Sequence, residues 1–184
     1  MLTSEALKKI AAGDRAAFSA LYATAQPRLV RYAGALLAGD IDAALDVVDE
    51  AFLNIWREAG RYAGVGNADG WVRRIVRNKA VDWLRARRER PFASSVEQLQ
   101  ATSLVDDAHT PERSAEISSS TRELRKALER LSPDHREVVW LCYFEERSLS
   151  EIAQITGCPE NTIKTRLFHA RKQLRNQLQR FETN

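Results

Sequence analysis

The chain has little of what builds disulfide frameworks, metal centres or tight turns. Its 184 residues include 2 cysteines, 3 histidines, 8 glycines and 5 prolines. Cys142 and Cys158 form no CxxC pair and stand at no zinc-ligand spacing from the histidines, so we expect no disulfide, no metal and no cofactor. The longest apolar run, from Val138 to Phe144, is far shorter than the ~20 residues of a spanning helix. These absences predict a protein that is neither exported nor inserted in a membrane, and therefore a cytoplasmic one.

Signatures of catalysis are lacking as well. Asp, Glu, Ser and His occur along the chain, but neither a nucleophile–base motif nor a phosphate loop of the GxxxxGK type appears. The sequence predicts a binding protein with no catalytic residues rather than an enzyme.

Helix-forming residues are what the chain has in quantity. Ala, Leu, Arg and Glu recur throughout, and 44% of the residues are hydrophobic, so we expect an all-α fold with a buried core. Helical periodicity is strong to about Arg90 and resumes at Thr121. Between them, residues 92–120 carry five acids against one arginine. This pattern predicts two small helical domains, residues 1–91 and 121–184, joined by a flexible acidic linker.

A helix-turn-helix is predicted in the second domain. Ser148 and Glu151 form a capping box that opens a helix of barely two turns, and Gly157 is a plausible stop for it. Pro159 and Glu160 suit the first turn of the helix that follows. A short helix, a tight turn and a longer basic helix are typical of a motif whose second helix enters the major groove.

The outward face of that second helix is rich in hydrogen-bond donors. The residues predicted to face the core recur at spacings of 4, 3 and 4: Ile163, Leu167, Ala170 and Leu174. The residues predicted to contact DNA are Asn161, Thr162, Lys164, Thr165, Arg166, Phe168, His169, Arg171 and Lys172. Donors and one exposed aromatic ring suit the reading of base edges and thymine methyl groups. The alternative interpretation of this helix is a solvated basic helix packed in a bundle. The capping residues, the tight turn and the positive charge together favour the DNA-binding interpretation.

A row of arginines follows one face of the helix predicted from about Trp71 to Arg90. Its core stripe is predicted to be Val72, Ile75, Val76 and Trp83. The arginine ridge, defined as Arg74, Arg77, Val81, Arg85 and Arg88, recurs at spacings of 3, 4, 4 and 3 on another face. Neutralising phosphates is a natural use of such a ridge, although a merely solvated arginine face has the same pattern.

The helix predicted over residues 41–57 has two contrasting faces. The predicted core face consists of Leu45, Val48, Phe52, Ile55 and Trp56. The acidic face consists of Asp46, Asp49, Glu50, Leu53 and Arg57. An apolar residue ringed by carboxylates suits a contact with a basic protein partner, while an isolated surface leucine is also normal. The charge of the acidic face excludes DNA.

Three segments resemble the second and fourth conserved regions of extracytoplasmic-function (ECF) sigma factors of the sigma-70 family, in the family's order: Asp42–Trp56, Gly70–Pro91 and Leu149–Arg175. The resemblance implies that the acidic face binds the β′ clamp helices of core RNA polymerase, whose β flap is a further partner. It also implies that an anti-sigma factor holds the protein inactive. The last helix would read the minus-thirty-five promoter element.

The resemblance also implies which residues take the minus-ten promoter element: Asn67, Arg74, Arg77, Asn78, Val81, Arg85 and Arg88. The loop from Tyr62 to Ala68, which is small and glycine-rich here, would receive a flipped base. Many relatives have glycine where this chain has Asn161, which changes the backbone next to the groove.

Two other functions are compatible with parts of the sequence. One is a helix-turn-helix regulator whose first domain binds a ligand, although such a domain needs no arginine ridge. The other is a sigma mimic that only captures an anti-sigma factor, although a mimic needs no DNA-contacting side chains. The 29 linker residues have a flexible end-to-end distance of about 30 Å and stretch to about 100 Å. An extended linker lets the domains reach promoter elements several helical turns apart. A collapsed linker lets the arginine ridge and the last helix be hidden together, against each other or under an anti-sigma factor, so we expect the free protein to bind promoter DNA poorly.

Overall fold

A computed structural model describes residues 3–62, 67–89 and 119–182, and within these ranges the chain is helical and forms no strand. The N-terminal helices are α1 (Ser4–Ala11), α2 (Arg15–Leu36), α3 (Ile41–Glu58) and α4 (Ala68–Glu89), with a 3-10 turn at Ala59–Arg61. The C-terminal helices are α5 (Ser119–Glu129), α6 (Pro133–Val139), α7 (Leu149–Thr156) and α8 (Glu160–Glu182), with a π-helical segment at Trp140–Phe144. The predicted all-α class is confirmed, and the predicted linker falls almost wholly outside the described residues.

Short-range chemistry sets the helix boundaries in the N-terminal part. The side chain of Asp14 accepts a 2.9 Å hydrogen bond from the Ala17 backbone N–H, which confirms it as the cap of α2. Helix α2 is followed by two left-handed residues, Ala38 with a φ of 60° and Gly39 with a φ of 89°, and Asp40 then caps α3. Helix α4 begins at Ala68, three residues before the predicted start.

The predicted caps of the C-terminal part are also present. Ser132 caps α6, and Ser148 and Glu151 form the reciprocal capping box of α7. Gly157 ends α7 with a φ of 72°. Pro159 differs slightly from expectation, because it stands directly before α8 and its carbonyl accepts the Ile163 N–H, so the helix itself starts one residue later.

The two parts of the chain share one continuous hydrophobic core. Helices α2, α3 and α4 pack on one another, α6 lies against α2, and α7 lies against α4. Val72 and Val76 of α4 therefore belong to the same buried cluster as Leu141, Ile152 and Ile155 of the C-terminal part. None of the described helices is both long enough and apolar enough to cross a membrane.

The core face of α3 differs from the predicted one. Val48, Phe52 and Ile55 are buried as expected, but Leu45 is 37% exposed and Trp56 only partly buried. The remaining buried residues of α3 are small or β-branched: Ala43, Ala44, Val47 and Ala51. Small side chains let α2 and α4 approach α3 closely, so the buried stripe is rotated towards them and away from Leu45.

Candidate nucleic-acid and polymerase interfaces

Helix α8 presents a basic face to solvent. Its core residues are those predicted, since Ile163, Leu167 and Ala170 are buried and Leu174 is half-buried against α5 and α6 residues. The predicted DNA-contacting residues that lie exposed are Asn161, Lys164, Thr165, Phe168, His169, Arg171 and Lys172. The Phe168 ring is 63% exposed, which is unusual for a large apolar side chain and leaves it free to meet a thymine methyl group.

Two predicted DNA contacts on α8 are less accessible. Thr162 is half-buried. Arg166 is held against α6, because its Nη2 donates a 2.8 Å hydrogen bond to the Asp134 carboxylate. The Thr165 hydroxyl is exposed but donates to the Asn161 carbonyl at 3.0 Å, so only its acceptor lone pairs remain available.

The arginine ridge on α4 is exposed at Arg74, Arg85 and Arg88 and partly covered at Arg77. Arg85 and Arg88 are exposed near the C-terminal end, although Arg85 lies 3.5 Å from Asp82. Val81 is half-buried. At the N-terminal end, the Arg74 Nη2 atom lies 3.8 Å from the position that a Cβ on Gly157 would take, so this side chain reaches the helix-turn-helix turn.

Arg77 is the ridge residue most strongly engaged. Its Nε donates to both carboxylate oxygens of Glu137, at 2.9 and 3.0 Å, and its Nη2 lies 3.7 Å from Asp134. The Tyr32 hydroxyl donates to the same Glu137 carboxylate at 2.7 Å. This three-residue cluster joins α2, α4 and α6 inside the shared core, with Glu137 1% exposed.

Burial and the neighbouring opposite charge have opposing effects on the pKa values of Arg77 and Glu137. Burial disfavours the charged guanidinium of Arg77, but the charge and hydrogen bonds of Glu137 outweigh it and raise the Arg77 pKa. Burial raises the pKa of the Glu137 carboxyl, even though Arg77 and Tyr32 both lower it. Burial and the adjacent carboxylate also raise the pKa of Tyr32 well above its usual value, so its hydroxyl stays protonated and remains a donor.

A second polar cluster across the two parts was not predicted from the sequence. Arg73 is 3% exposed, its Nε donates to Asp69 at 3.0 Å, and its Nη1 donates to Glu145 at 2.7 Å. Arg147 donates to the same Asp69 carboxylate. The available signal was Arg73 itself, an arginine that falls beside Val72 and Val76 on the core side of α4 and therefore needs carboxylate partners.

The acidic face of α3 is exposed along its whole length. All five of its members are accessible to solvent, and Leu53 is 55% exposed. Two of the acids are oriented by neighbours: the Tyr22 hydroxyl donates to Asp49 at 2.9 Å, and Lys79 pairs with Glu50 at 3.0 Å. Because these contacts lie at the surface, they fix side-chain directions without removing the carboxylates from solvent.

The loop expected to receive a flipped base lies mostly outside the described residues, which exclude residues 63–66. Its flanks are described. Tyr62 packs on Trp71 and bonds to Ser4 through its hydroxyl. Asn67 is exposed and its side chain accepts the Asp69 N–H at 3.0 Å, and Asn78, the residue after Arg77 in α4, is also exposed. In the described ranges, no group of three His, Cys, Asp or Glu side chains could hold a metal ion.

Comparison with known proteins gives two family matches in chain order. The model of sigma-70 region 2 matches residues 21–90, and that of sigma-70 region 4 matches residues 121–174. An ECF RNA polymerase sigma-E factor of Haemophilus influenzae is 30% identical over 188 aligned positions, covering 97% of this chain and 96% of the relative. A probable RNA polymerase sigma factor, RfaY, of Xanthomonas campestris is 33% identical over 96% of this chain, which spans 44% of that relative's length.

Among solved structures, the fold is similar to that of the sigma factor RpoE crystallised with the anti-sigma factor NepR from Bartonella quintana. The two share 27% identity with a TM-score of 0.66, and the similarity covers 88% of this chain and 96% of that one.

Proposed function

Because the chain belongs to the ECF family of RNA polymerase sigma factors, we propose that it binds core RNA polymerase and directs it to a particular set of promoters. One observation carries the proposal. Helix α7 is capped at both ends, a tight turn joins it to α8, and α8 exposes seven of the predicted DNA-contacting side chains on one basic face. A helix presented in this way can enter the major groove while its other side remains packed.

The functions proposed for the different parts of the chain follow the predicted domains. Residues 1–91 would bind the polymerase and the minus-ten element, residues 121–184 would bind the minus-thirty-five element, and residues 92–120 would connect them. The two family matches, which fall within the first and last of these ranges, support this division.

The polymerase contact is proposed at the acidic face of α3, with the β′ clamp as its partner. Leu53 supplies an exposed apolar centre, and Asp46, Asp49 and Glu50 surround it with carboxylates. A polar rim around an apolar contact suits recognition of a basic protein surface. The polymerase β flap is proposed as the partner of residues 121–184.

The promoter contacts are proposed at two surfaces. The exposed face of α8 would read the minus-thirty-five element through base edges. The arginine ridge, with Asn67 and Asn78, would hold the minus-ten element, largely through its phosphates. Catalysis would stay with the polymerase, and the proposed place of action is the cytoplasm.

An anti-sigma factor is the proposed negative regulator. The support is the similarity to a sigma factor solved together with an anti-sigma factor, over nearly the whole of that chain.

Reconstitution with purified core polymerase tests the proposal. The expected result is that start sites mapped on genomic DNA share upstream sequences that core polymerase alone does not select. A chain that binds duplex DNA specifically but gives core polymerase no start sites would overturn the proposal and favour the helix-turn-helix regulator.

A further inference from the structure

An apolar cavity of about 180 Å³ lies where α5 and α6 meet the end of α2. Leu124 and Phe144 line it and are 39% and 45% exposed, so the cavity opens to solvent beside them. None of the described residues that line it belongs to the acidic face of α3, to the arginine ridge or to the predicted DNA-contacting set of α8. Its apolar walls are built mainly by Ala35, Leu124, Leu128, Val139, Trp140 and Phe144.

The size of the cavity suits one aromatic ring with a small substituent. A cavity of about 150 Å³ lined by aliphatic and aromatic side chains takes up benzene. The rings of Trp140 and Phe144 stack with their centroids 4.7 Å apart and their planes 13° from parallel. An aromatic ligand packs against such rings by offset stacking or edge-to-face contact. A flexible alkyl chain would lose more conformational entropy on binding, so a flat ring is favoured.

A buried arginine in the wall of the cavity lacks an anion. Arg136 lines the cavity and is 8% exposed. Its Nη2 donates to the Leu131 carbonyl at 3.1 Å, whereas its Nε and Nη1 are buried and meet no acceptor among the described residues. Burial lowers the pKa of Arg136, and the neighbouring charge of Glu129 only partly offsets this. Buried donors normally have an acceptor, so the Arg136 guanidinium is short of one.

The charges around the cavity favour an anionic ligand. Of the charged residues in the lining, Arg125 and Arg136 are basic and Glu129 is acidic, which leaves a net charge of +1. Opposite charges attract more strongly in apolar surroundings than in water, so a carboxylate is attracted more strongly by Arg136 than by an exposed arginine. It would supply the missing acceptor through a charge-assisted hydrogen bond.

We propose that this cavity binds a small aromatic carboxylate, with its ring against Trp140 and its carboxylate at the Arg136 guanidinium. The inference goes beyond the proposed function, because it uses no side chain assigned to promoter DNA or to the β′ clamp. It gives the chain a small-molecule ligand in addition to macromolecular partners.

Two probes with the same ring test the charge of the ligand. Benzoate carries a carboxylate, and benzamide replaces it with a neutral amide. Ligand-observed NMR titrations of the full chain at constant ionic strength measure both affinities. We expect benzoate to bind at least about tenfold more tightly than benzamide, as one charge-assisted hydrogen bond allows. Equal binding of the two probes, or no binding of benzoate, would overturn the proposal.

Arg136→Met tests the anchor. Methionine keeps an unbranched side chain but removes the charge and the donors, so we expect benzoate to lose its roughly tenfold advantage over benzamide. Arg122→Met, which removes an exposed arginine of α5 outside the cavity lining, is the matched control and should keep that advantage. Circular dichroism checks that both variants fold. A folded Arg136→Met chain that still prefers benzoate would exclude Arg136 as the anchor and overturn the proposal.

Leu124→Trp tests the location without altering a buried charge. Leu124 lines the cavity, and a larger ring there fills its volume, so we expect both probes to bind at least about tenfold more weakly. Leu45→Trp on α3 is the matched control, because Leu45 is 37% exposed and lies outside the lining. It should bind both probes as the unchanged chain does. Unchanged benzoate binding by Leu124→Trp would place the site elsewhere and overturn the proposal.

Discussion

The hydroxyl of Tyr32 in α2 donates a 2.7 Å hydrogen bond to the carboxylate of Glu137 in α6, across 105 residues of sequence. Tyr32→Phe removes this donor while keeping the ring, so a buried carboxylate loses one partner. We expect the free energy of unfolding to fall by about 1–3 kcal/mol. Urea denaturation followed by circular dichroism measures it.

Tyr22→Phe is the matched control for this substitution. It removes a hydrogen bond of 2.9 Å to Asp49, but at an exposed position where water replaces the lost donor. The effect on unfolding should be much smaller, and equal losses for the two tyrosines would contradict the role assigned to burial at Tyr32.

The acidic face of α3 is tested by Leu53→Asp and Glu50→Lys. Both side chains are exposed, so we expect normal folding but weaker assembly with core polymerase, because one change removes the apolar centre and the other reverses a charge on its rim. Size-exclusion chromatography of chain and core polymerase measures assembly. Glu5→Lys, a charge reversal on α1, should assemble normally. Normal assembly by both α3 variants would remove the case for this interface.

Base reading by α8 is tested by His169→Ala and Lys164→Ala. Each removes an exposed donor on the recognition face, and the loss of a specific base contact is expected to cost roughly 1–3 kcal/mol at one promoter position. Start-site selection from a randomised minus-thirty-five library shows which position loses its preference. Lys8→Ala on α1 should leave the preferences intact. A uniform loss across all sequences would instead assign these side chains to phosphates.

Gly157 is required for its backbone conformation. Its φ of 72° is strained for any residue with a Cβ, so Gly157→Ala should lower the free energy of unfolding by about 1–2 kcal/mol. Gly60→Ala is the control, since Gly60 lies in open space and does not take a left-handed φ. Thermal denaturation compares the two. A stable Gly157→Ala chain would show that the turn between α7 and α8 adapts without cost.

Local chemistry explains why much of the fold was predictable. Asp14, Ser132, Ser148 and Gly157 each act on backbone groups within a few residues, so their roles can be inferred from short stretches of sequence. The exposed faces of α3 and α8 followed from helical periodicity in the same way. The prediction that Leu45 lies in the core is wrong, because it gave more weight to large apolar residues than to the alanines of α3 that allow close helix packing.

The contacts between the two parts could not be predicted from the sequence. Glu137 meets Tyr32 and Arg77 only because α6 docks on α2 and α4, and pairings over 60 and 105 residues leave no periodic pattern. A hint was present all the same. Glu137 directly precedes the apolar residues Val138 and Val139, which are buried in the same helix. A carboxylate in such a position is buried too and requires a hydrogen-bonding partner from another part of the chain.

The shared core of α4 and the C-terminal helices has a consequence for temperature. Apolar attraction, which holds Val72 and Val76 in one cluster with Leu141 and Ile155, weakens on cooling. The desolvation penalty of a buried ion pair such as Arg77 and Glu137 is larger in the cold. Both trends weaken this contact on cooling, so low temperature is a change of conditions that loosens the packing of the C-terminal helices on α4 without altering a residue.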